Sequence, residues 1–424
     1  MASEKGNLNN KLTILRRSLA LNEEKAAGFG GLHAPAYLEI EIQDTKKQIE
    51  ETKQQLAALE NPPPLTSTPN KRQEIRKLTA ELGSAEQAED WEKVIEIGEK
   101  ILELDVSQHV ITLSIRDSYF KQGNILLEQK SYKLAVQYFD EAIKLDADFA
   151  DGYLWRGEAY FQLKYYPQAL KDYSRAVELN PTEPAIAYYK RGQIYLIQKQ
   201  FDLAIADFSK AIDLDTKYAE AYQKRGLAYR AKGDPTQAVQ DFTSARDEFF
   251  ARGNMYYDQG QYKFGIEAYS KGLELDPKFA VVYNNRGLAY NKLKEYEKAL
   301  ADLNNALELN PKNAYAYNNR GDTYRNLKEY EKAIVDFNKA LELDPKNAYA
   351  YNNRGMFYYS LKEYKKAIAD YNKALELNPK FAEAYYNRGL TYKDMGNIEA
   401  ARRDFEKAAE LGHEHAKQEL AELD

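Results

Sequence analysis

Cysteine is absent from all 424 residues. Its absence excludes disulfides, thiolate metal sites and cysteine nucleophiles, and it fits a reducing compartment. Long apolar runs are also missing: no stretch approaches the ~20 residues a bilayer-spanning helix needs. The opening residues, MASEKGNLNNKLTILRR, have no apolar core followed by a small-residue cleavage site, so no signal peptide is expected. Positive charge is not in excess. The net charge is −6, which argues against nucleic acid, whose phosphates need clustered Lys and Arg. A soluble, cytoplasmic protein with neither membrane nor nucleic-acid partner is the expectation. Histidine is scarce, at 33, 109, 413 and 415 only. His413 and His415 are two apart and point in different directions on a helix, so they read as solvated end residues rather than a metal pair. No Ser/His/Asp set can be assembled, and the many carboxylates read as salt-bridged solvent faces. The sequence thus predicts no catalytic site, no metal and no cofactor.

What the chain has is repetition, the first property to test in a sequence. AYAYNNRGDTYRNLKEYEKAIVDFNKALELDPKN, residues 314–347, is followed by AYAYNNRGMFYYSLKEYKKAIADYNKALELNPKF, residues 348–381. The glycines at 287, 321, 355 and 389 stand 34 residues apart, and the same register places others at 123, 157, 192, 226 and 253. Four residues before each lies an aromatic, from Tyr119 to Tyr385, and three after it comes a tyrosine everywhere except Leu126. This accounts for the high count of 35 tyrosines. Further on, small residues stand seven apart, as in Ala299/Ala306, Ala333/Ala340 and Ala367/Ala374, with a large residue such as Phe337 between them. Glycine and alanine let two helix backbones approach, aromatics fill the space between units, and prolines such as Pro311, Pro345 and Pro379 end the second helix.

Ahead of the repeats, leucines at 8, 12, 15 and 19 make one helical stripe. GFGGLHAP, residues 28–35, breaks it. A second helix follows over about 36–60, with a heptad seam of Leu38, Ile42, Thr45, Ile49, Thr52, Leu56 and Leu59. Residues 1–60 therefore read as a helical hairpin, whose stripes could close on each other, on the array or on a second copy. Its glycines are a loop rather than a phosphate cradle, because no strand precedes them and no Lys-Ser/Thr follows. NPPPLTSTPN, residues 61–70, is a semi-rigid proline-rich linker. Residues 71–115 read as a degenerate leading helix pair, 116–245 as an upstream block, 246–411 as a downstream block and 412–424 as a polar capping helix.

Two departures from register mark this layout. The stretch before Gly123 is seven residues longer than its counterparts, which predicts a first helix two turns longer. Gly226 and Gly253 are 27 apart rather than 34, and the lost residues are a helix end and its turn. Asp234-Pro235 is a good helix start. Either one helix runs on over ~235–259, because seven residues are nearly two turns and keep the apolar stripe in phase, or a tight turn falls at Ser244–Asp247.

This pattern resembles the tetratricopeptide repeat, with about nine units over residues 116–415. The resemblance implies an all-α, right-handed α-solenoid of antiparallel helix pairs, whose first helices line a concave groove that takes peptide segments of partner proteins. The variable inner positions of the downstream block are then the candidate site: Asn284 and Asn291; Tyr315, Asn318, Asp322 and Arg325; Tyr349, Asn352 and Tyr359; Tyr386 and Lys393. The ladder of Asn284, Asn318 and Asn352 suits bidentate hydrogen bonds to a peptide backbone, with the tyrosines stacking on its side chains; equally, YNNRG reads as repeat filler. The same positions upstream (Phe120, Asn124 and Leu127; Leu154, Glu158 and Phe161; Tyr189, Gln193 and Leu196) are more apolar and suit a helix or the N-terminal hairpin. The Lys/Asn and Lys/Arg set of the family's carboxylate clamp is not matched, which argues against a receptor for chaperone tails.

The N-terminal stretch LRRSLALNEEKAAGFGGLHAPAYLEIEIQDTKKQI also resembles short helical modules set ahead of effector or repeat domains in bacterial signalling and conflict proteins. The expected function is a non-enzymatic scaffold or adaptor for protein or peptide segments. The alternatives are a homo-oligomeric assembly protein joined through the hairpin and a regulatory subunit of a bacterial signalling or defence effector.

Overall fold

The computed structural model describes residues 69–105 and 107–423, together with 12, 15, 16, 19, 23, 42, 43 and 45–53. Every regular element among them is an α-helix, so the fold is an all-α solenoid of antiparallel pairs. In chain order these are α1 (Pro69–Gln87), α2 (Trp91–Leu104), α3 (His109–Glu128), α4 (Tyr132–Leu145), α5 (Ala150–Gln162), α6 (Tyr166–Leu179) and α7 (Pro184–Ile197). Then come α8 (Phe201–Leu214), α9 (Ala219–Lys232), α10 (Pro235–Asp258), α11 (Tyr262–Leu275), α12 (Ala280–Lys292) and α13 (Tyr296–Leu309). The last are α14 (Ala314–Asn326), α15 (Tyr330–Leu343), α16 (Ala348–Ser360), α17 (Tyr364–Leu377), α18 (Ala382–Asp394), α19 (Ile398–Glu410) and α20 (Glu414–Leu423). The chain divides into two compact units, Met1–Arg191 and Gly192–Asp424.

Each pair closes as the sequence dictates. In the pair α16/α17, Gly355 faces the ring of Tyr371, and a Cβ there would sit 2.6 Å from Tyr371 Cε1. Only glycine lets the ring lie flat on the first helix. In α14/α15 the same role falls to Gly321 and Phe337, and Ala333, Phe337 and Ala340 are wholly buried. Burying such a phenylalanine is worth roughly 1.5–3 kcal/mol. Asn313 and Asn347 cap α14 and α16, their side chains accepting from the amides of Ala316 and Ala350 at 3.2 and 3.0 Å, which satisfies donors a helix start leaves open.

An element the sequence reading passed over recurs beside six of the glycines. There the arginine before the glycine clamps an aspartate on the second helix of its own unit. Arg156, Arg225, Arg286, Arg320, Arg354 and Arg388 grip Asp172, Asp241, Asp302, Asp336, Asp370 and Asp404 through Nε and Nη2 at 2.7–2.8 Å. Nη1 of the same arginine reaches the preceding second helix, as from Arg320 to Asn304 and from Arg354 to Asn338, both at 2.7 Å. These aspartates are at most 6% exposed. A bidentate guanidinium offsets the cost of burying them.

The 27-residue spacing is resolved in favour of one helix: α10 runs unbroken for 24 residues through 243–248. Asp234 caps it by accepting from Gln237 N at 3.1 Å, and Pro235 fills the first position, where no N–H is needed. α10 is shared by neighbouring pairs: Ala245 and Phe249 pack with Ala219 and Tyr222 of α9, and Gly253 lies under the ring of Tyr269 on α11. As the spacing also predicts, α3 has 20 residues where α5 has 13.

α1 begins at Pro69, inside the span assigned to the linker; a proline at the first helical position costs no hydrogen bond. Residues 61–68, the glycine break at 28–35, Leu38, Leu56 and Leu59 lie outside the described residues. Of the heptad seam, Ile42, Thr45, Ile49 and Thr52 are described and buried, and Lys46 pairs with Glu23 at 2.9 Å. No helix among the described residues is long and apolar enough to cross a membrane. None of their His, Asp and Glu side chains form a group of three or more that could hold a metal ion.

Candidate binding surface on the first helices

On each downstream first helix, four positions share a face: six and three before the glycine, and one and four after it. Their spacing of three or four residues stacks them along one side. The helices α12, α14, α16 and α18 carry this face side by side, and Ala316, Ala350 and Ala384 are fully buried against the preceding second helices.

The structure sorts the eleven candidates into four kinds. Asn284, Asn318 and Asn352 are 6, 4 and 2% exposed, so they form the wall behind the surface rather than its lining. Their amide oxygens are taken by the asparagine two before the glycine of the next unit. Asn319 donates to Asn284 at 2.9 Å, Asn353 to Asn318 at 3.2 Å and Asn387 to Asn352 at 3.1 Å. Within a doublet Asn284 donates to Asn285 at 3.0 Å, and Asn285 donates to Asn254 at 3.0 Å. Buried amides must find partners, and here each finds one in the adjacent unit. The ladder read from the sequence exists, but its hydrogen bonds run between repeats.

Asn291, Asp322, Arg325 and Tyr359 are engaged within the chain. Asn291 donates to Thr323 Oγ1 at 2.7 Å, while its Oδ1 has no partner. Arg325 holds Asp322 at 2.6 Å on the same helix. Tyr359 donates to Asp394 at 2.8 Å, and burial together with that carboxylate pushes its pKa up to about 12. Tyr386 and Lys393 face the final helix. The Tyr386 ring stacks on His413 at 4.1 Å, and Lys393 bridges to Glu419 and Glu422 of α20 at 2.7 and 3.0 Å, which raises its pKa to about 12.

Tyr315 and Tyr349 are open. They occupy the same register on α14 and α16 and are 59 and 58% exposed. Tyr349 leans edge-on against Phe381 at 4.8 Å, and neither hydroxyl has a hydrogen-bond partner among the described residues. Two amphipathic rings one repeat apart, above a wall of fixed amides, can stack on apolar or planar groups and hydrogen-bond through their tips. The sequence reading missed the asparagines two before the glycine (Asn285, Asn319, Asn353, Asn387). For the first three the signal was the NN doublet itself, since two adjacent residues on a helix cannot share one face; Asn387 follows Tyr386 and is marked only by its register.

Family models described as tetratricopeptide repeat match residues 120–184, 280–313, 314–347, 337–369 and 382–415. One described as TPR repeat matches 192–233, 253–294 and 355–396. The chain belongs to the tetratricopeptide repeat family. Within that family it is similar to Hsp70-Hsp90 organizing protein 1 of Glycine max, 31% identical over 127 residues, which is 25% of this chain and 22% of the relative. It is also similar to the small glutamine-rich tetratricopeptide repeat-containing protein 2 of Saccharomyces cerevisiae, 39% identical over 61 residues, 14% of this chain and 18% of the relative. The chain thus spans less than a quarter of the length of either. Among solved structures, a tetratricopeptide repeat protein from Parabacteroides merdae aligns over 65% of this chain and 98% of its own, at 19% identity and a TM-score of 0.38. MamA aligns over 41% and 96%, at 30% identity and a TM-score of 0.32.

Proposed function

We propose that this tetratricopeptide repeat protein is a non-enzymatic scaffold that binds a segment of a partner protein across α14 and α16, with Tyr315 and Tyr349 as its anchors. The observation that carries this reading is the pair of open rings at one register on adjacent first helices, where every other candidate is buried or engaged. The asparagine wall acts through them by fixing the distance between the two anchors, which limits what is lost on binding. Family membership and relatives named as organizers of Hsp70 and Hsp90 support a protein-binding role of this general kind.

The test is selection of binding peptides from a random displayed library on the full chain, followed by affinity measurement on variants. Tyr315→Ser with Tyr349→Ser is expected to weaken the selected peptides by roughly a hundredfold, as loss of two aromatic anchors does, while Lys294→Ala leaves them unchanged. Peptides whose affinity survives the double substitution remove the tyrosines from the site. The buried heptad seam Ile42, Thr45, Ile49 and Thr52 favours a hairpin closed within one copy over one that recruits a second. Light scattering giving a larger mass for the full chain than for residues 71–424, beyond the difference in chain length, would reverse that.

A further inference from the structure

The second residue after most of the packing glycines faces the preceding unit. Ala159 packs with Ala135, Val136 and Phe139 of α4. Phe357 packs with Ala333 and Phe337 of α15, and its ring lies 6.0 Å from that of Tyr330. Ala159, Ile194, Ala228, Ala289, Thr323, Phe357 and Thr391 are at most 3% exposed in this position. Two residues at this register are open: Ile125, late in the 20-residue α3, is 37% exposed, and Met255 is 45% exposed.

The cause is covalent. The covering element is the second helix of the preceding unit, and for Met255 that helix is the first half of α10 itself. A straight rod cannot fold back on its own face. α10 has 24 residues against 14 in α9, and the ten left over reach about 15 Å further. Arg252 bridges to Glu220, in the first turn of α9, at 2.8 Å; Met255 lies about a turn beyond. The whole face follows suit. Ala251 and Asp258 are exposed, and Glu248 stands where other units carry Ala221, Val282, Ala316, Ala350 or Ala384, all wholly buried. Glu248, Ala251, Met255 and Asp258 share one side of the helix. Neither carboxylate has an ion-pair partner among the described residues. Next to Met255, the ring of Tyr256 lies 5.5 Å from that of Phe264, which is 58% exposed.

We propose that the second half of α10 is a docking site for one α-helix of a partner protein, seated where an ordinary unit has its preceding second helix. The seven covered positions specify the occupant. It presents a small residue and an aromatic four positions apart, as Ala333 and Phe337 do over Phe357, and basic side chains flank that face to meet Glu248 and Asp258. This surface is separate from the tyrosine pair on α14 and α16, and either can fail alone.

The probe is a fluorescein-labelled peptide of residues 329–344, the chain's own covering helix, carrying Glu331→Lys and Glu342→Lys. Titrating the full chain should give saturable anisotropy, with affinity cut at least roughly tenfold by Met255→Lys or Ala251→Arg in the protein and by Phe337→Ala in the peptide. Tyr315→Ser with Tyr349→Ser should leave it unchanged. Circular dichroism should be the same for Met255→Lys as for the natural chain, because the side chain is already exposed. Absence of saturation at ~1 mM of the full chain, or binding by both protein variants as tight as by the natural chain, overturns the proposal. So does a dimer in sedimentation that Met255→Lys converts to monomer, an outcome that assigns the face to a second copy.

Discussion

At the junction between α15 and α16 the chain stops at Asp344, turns through Pro345 and Lys346, and restarts from the Asn347 cap. In α10 the chain does none of these things. The two junctions link the same kinds of helix and differ by seven residues. At the ordinary one the second helix turns back and seals the next first helix, so that Phe357 is 3% exposed. At the continuous one the helical phase survives, since seven residues are close to two turns, but the seal is lost and Met255 opens. The clamp changes with it. Sixteen residues after Arg354 stands Asp370, whereas sixteen after Arg252 stands Ala268, and Arg252 turns back to Glu220 instead. A deletion that preserves phase can therefore leave the core of each pair intact while removing one inter-repeat face.

The sharpest way to break this comparison uses the absence of cysteine. Met255→Cys and Ala289→Cys each introduce the sole thiol, at equivalent positions. Labelling with a small maleimide should be at least ~10³-fold faster at 255, because a thiol at 289 reacts only through local opening. Similar rates would mean that the overhang of α10 is covered in solution. Inserting LELDPKN between Ala245 and Arg246 restores the 34-residue spacing and should slow labelling at 255 toward the rate at 289.

Next in size is the clamp. Arg354→Leu leaves Asp370, 6% exposed, as a buried unpaired charge, which should cost about 3 kcal/mol or more. Arg252→Leu should cost about 1 kcal/mol, since the Glu220 side chain is 24% exposed and retains Lys271 at 3.7 Å. Repeat arrays unfold by parts, so the measurement is amide exchange in α16–α17 and in α9–α10 separately. Equal losses in the two variants would contradict the unequal burial.

These contrasts mark what was legible in the sequence. Pairing, period and the long α10 followed from glycine, alanine and proline positions, because close backbone approach admits few residue types. The direction of the asparagines did not. Position along a helix shows which residues share a face, but Asn284 lies near the border between the solvent-facing and neighbour-facing sides, and only the distance between first helices decides which way its amide turns. The separation of open Tyr315 from cap-covered Tyr386 was equally hidden. Both are tyrosines on the inner face, and the difference comes from α20 folding back over α18.

A smaller effect tests that asparagine assignment. Asn318→Leu leaves the Asn353 amide without its acceptor and should cost about 1–2 kcal/mol. Tyr315→Ser, at an exposed ring, should stay within about 0.5 kcal/mol. The ratio is read from the urea midpoint of the α14–α17 region. If Tyr315→Ser proves the more costly, the ring packs against the chain rather than waiting for a ligand.

The smallest expected effect concerns the end of the array that is covered, in contrast to the open step on α10. There α20 seals α18 with the wholly buried Ala416 and with Leu420 and Leu423, while His413 stacks on Tyr386. Burial holds His413 below the ordinary histidine pKa, against the attraction of Glu383 and together with repulsion from His415. The start of α20 pushes the same way, because the positive end of a helix disfavours a cation. A folded-state pKa below the unfolded value means that the contribution of His413 is fully present above ~6.5 and is lost as pH falls through the folded value. Amides of 414–423, corrected for intrinsic exchange, should therefore open more at pH 5 than at pH 7.5, and His413→Gln should flatten that difference. Besides Glu383 and His415, the carboxylates that Lys393 holds, Glu419 and Glu422, lie at this contact. Glu419→Gln with Glu422→Gln separates them: a pH response that survives this change and vanishes with His413→Gln belongs to the histidine, and the reverse pattern assigns it to the ion pairs.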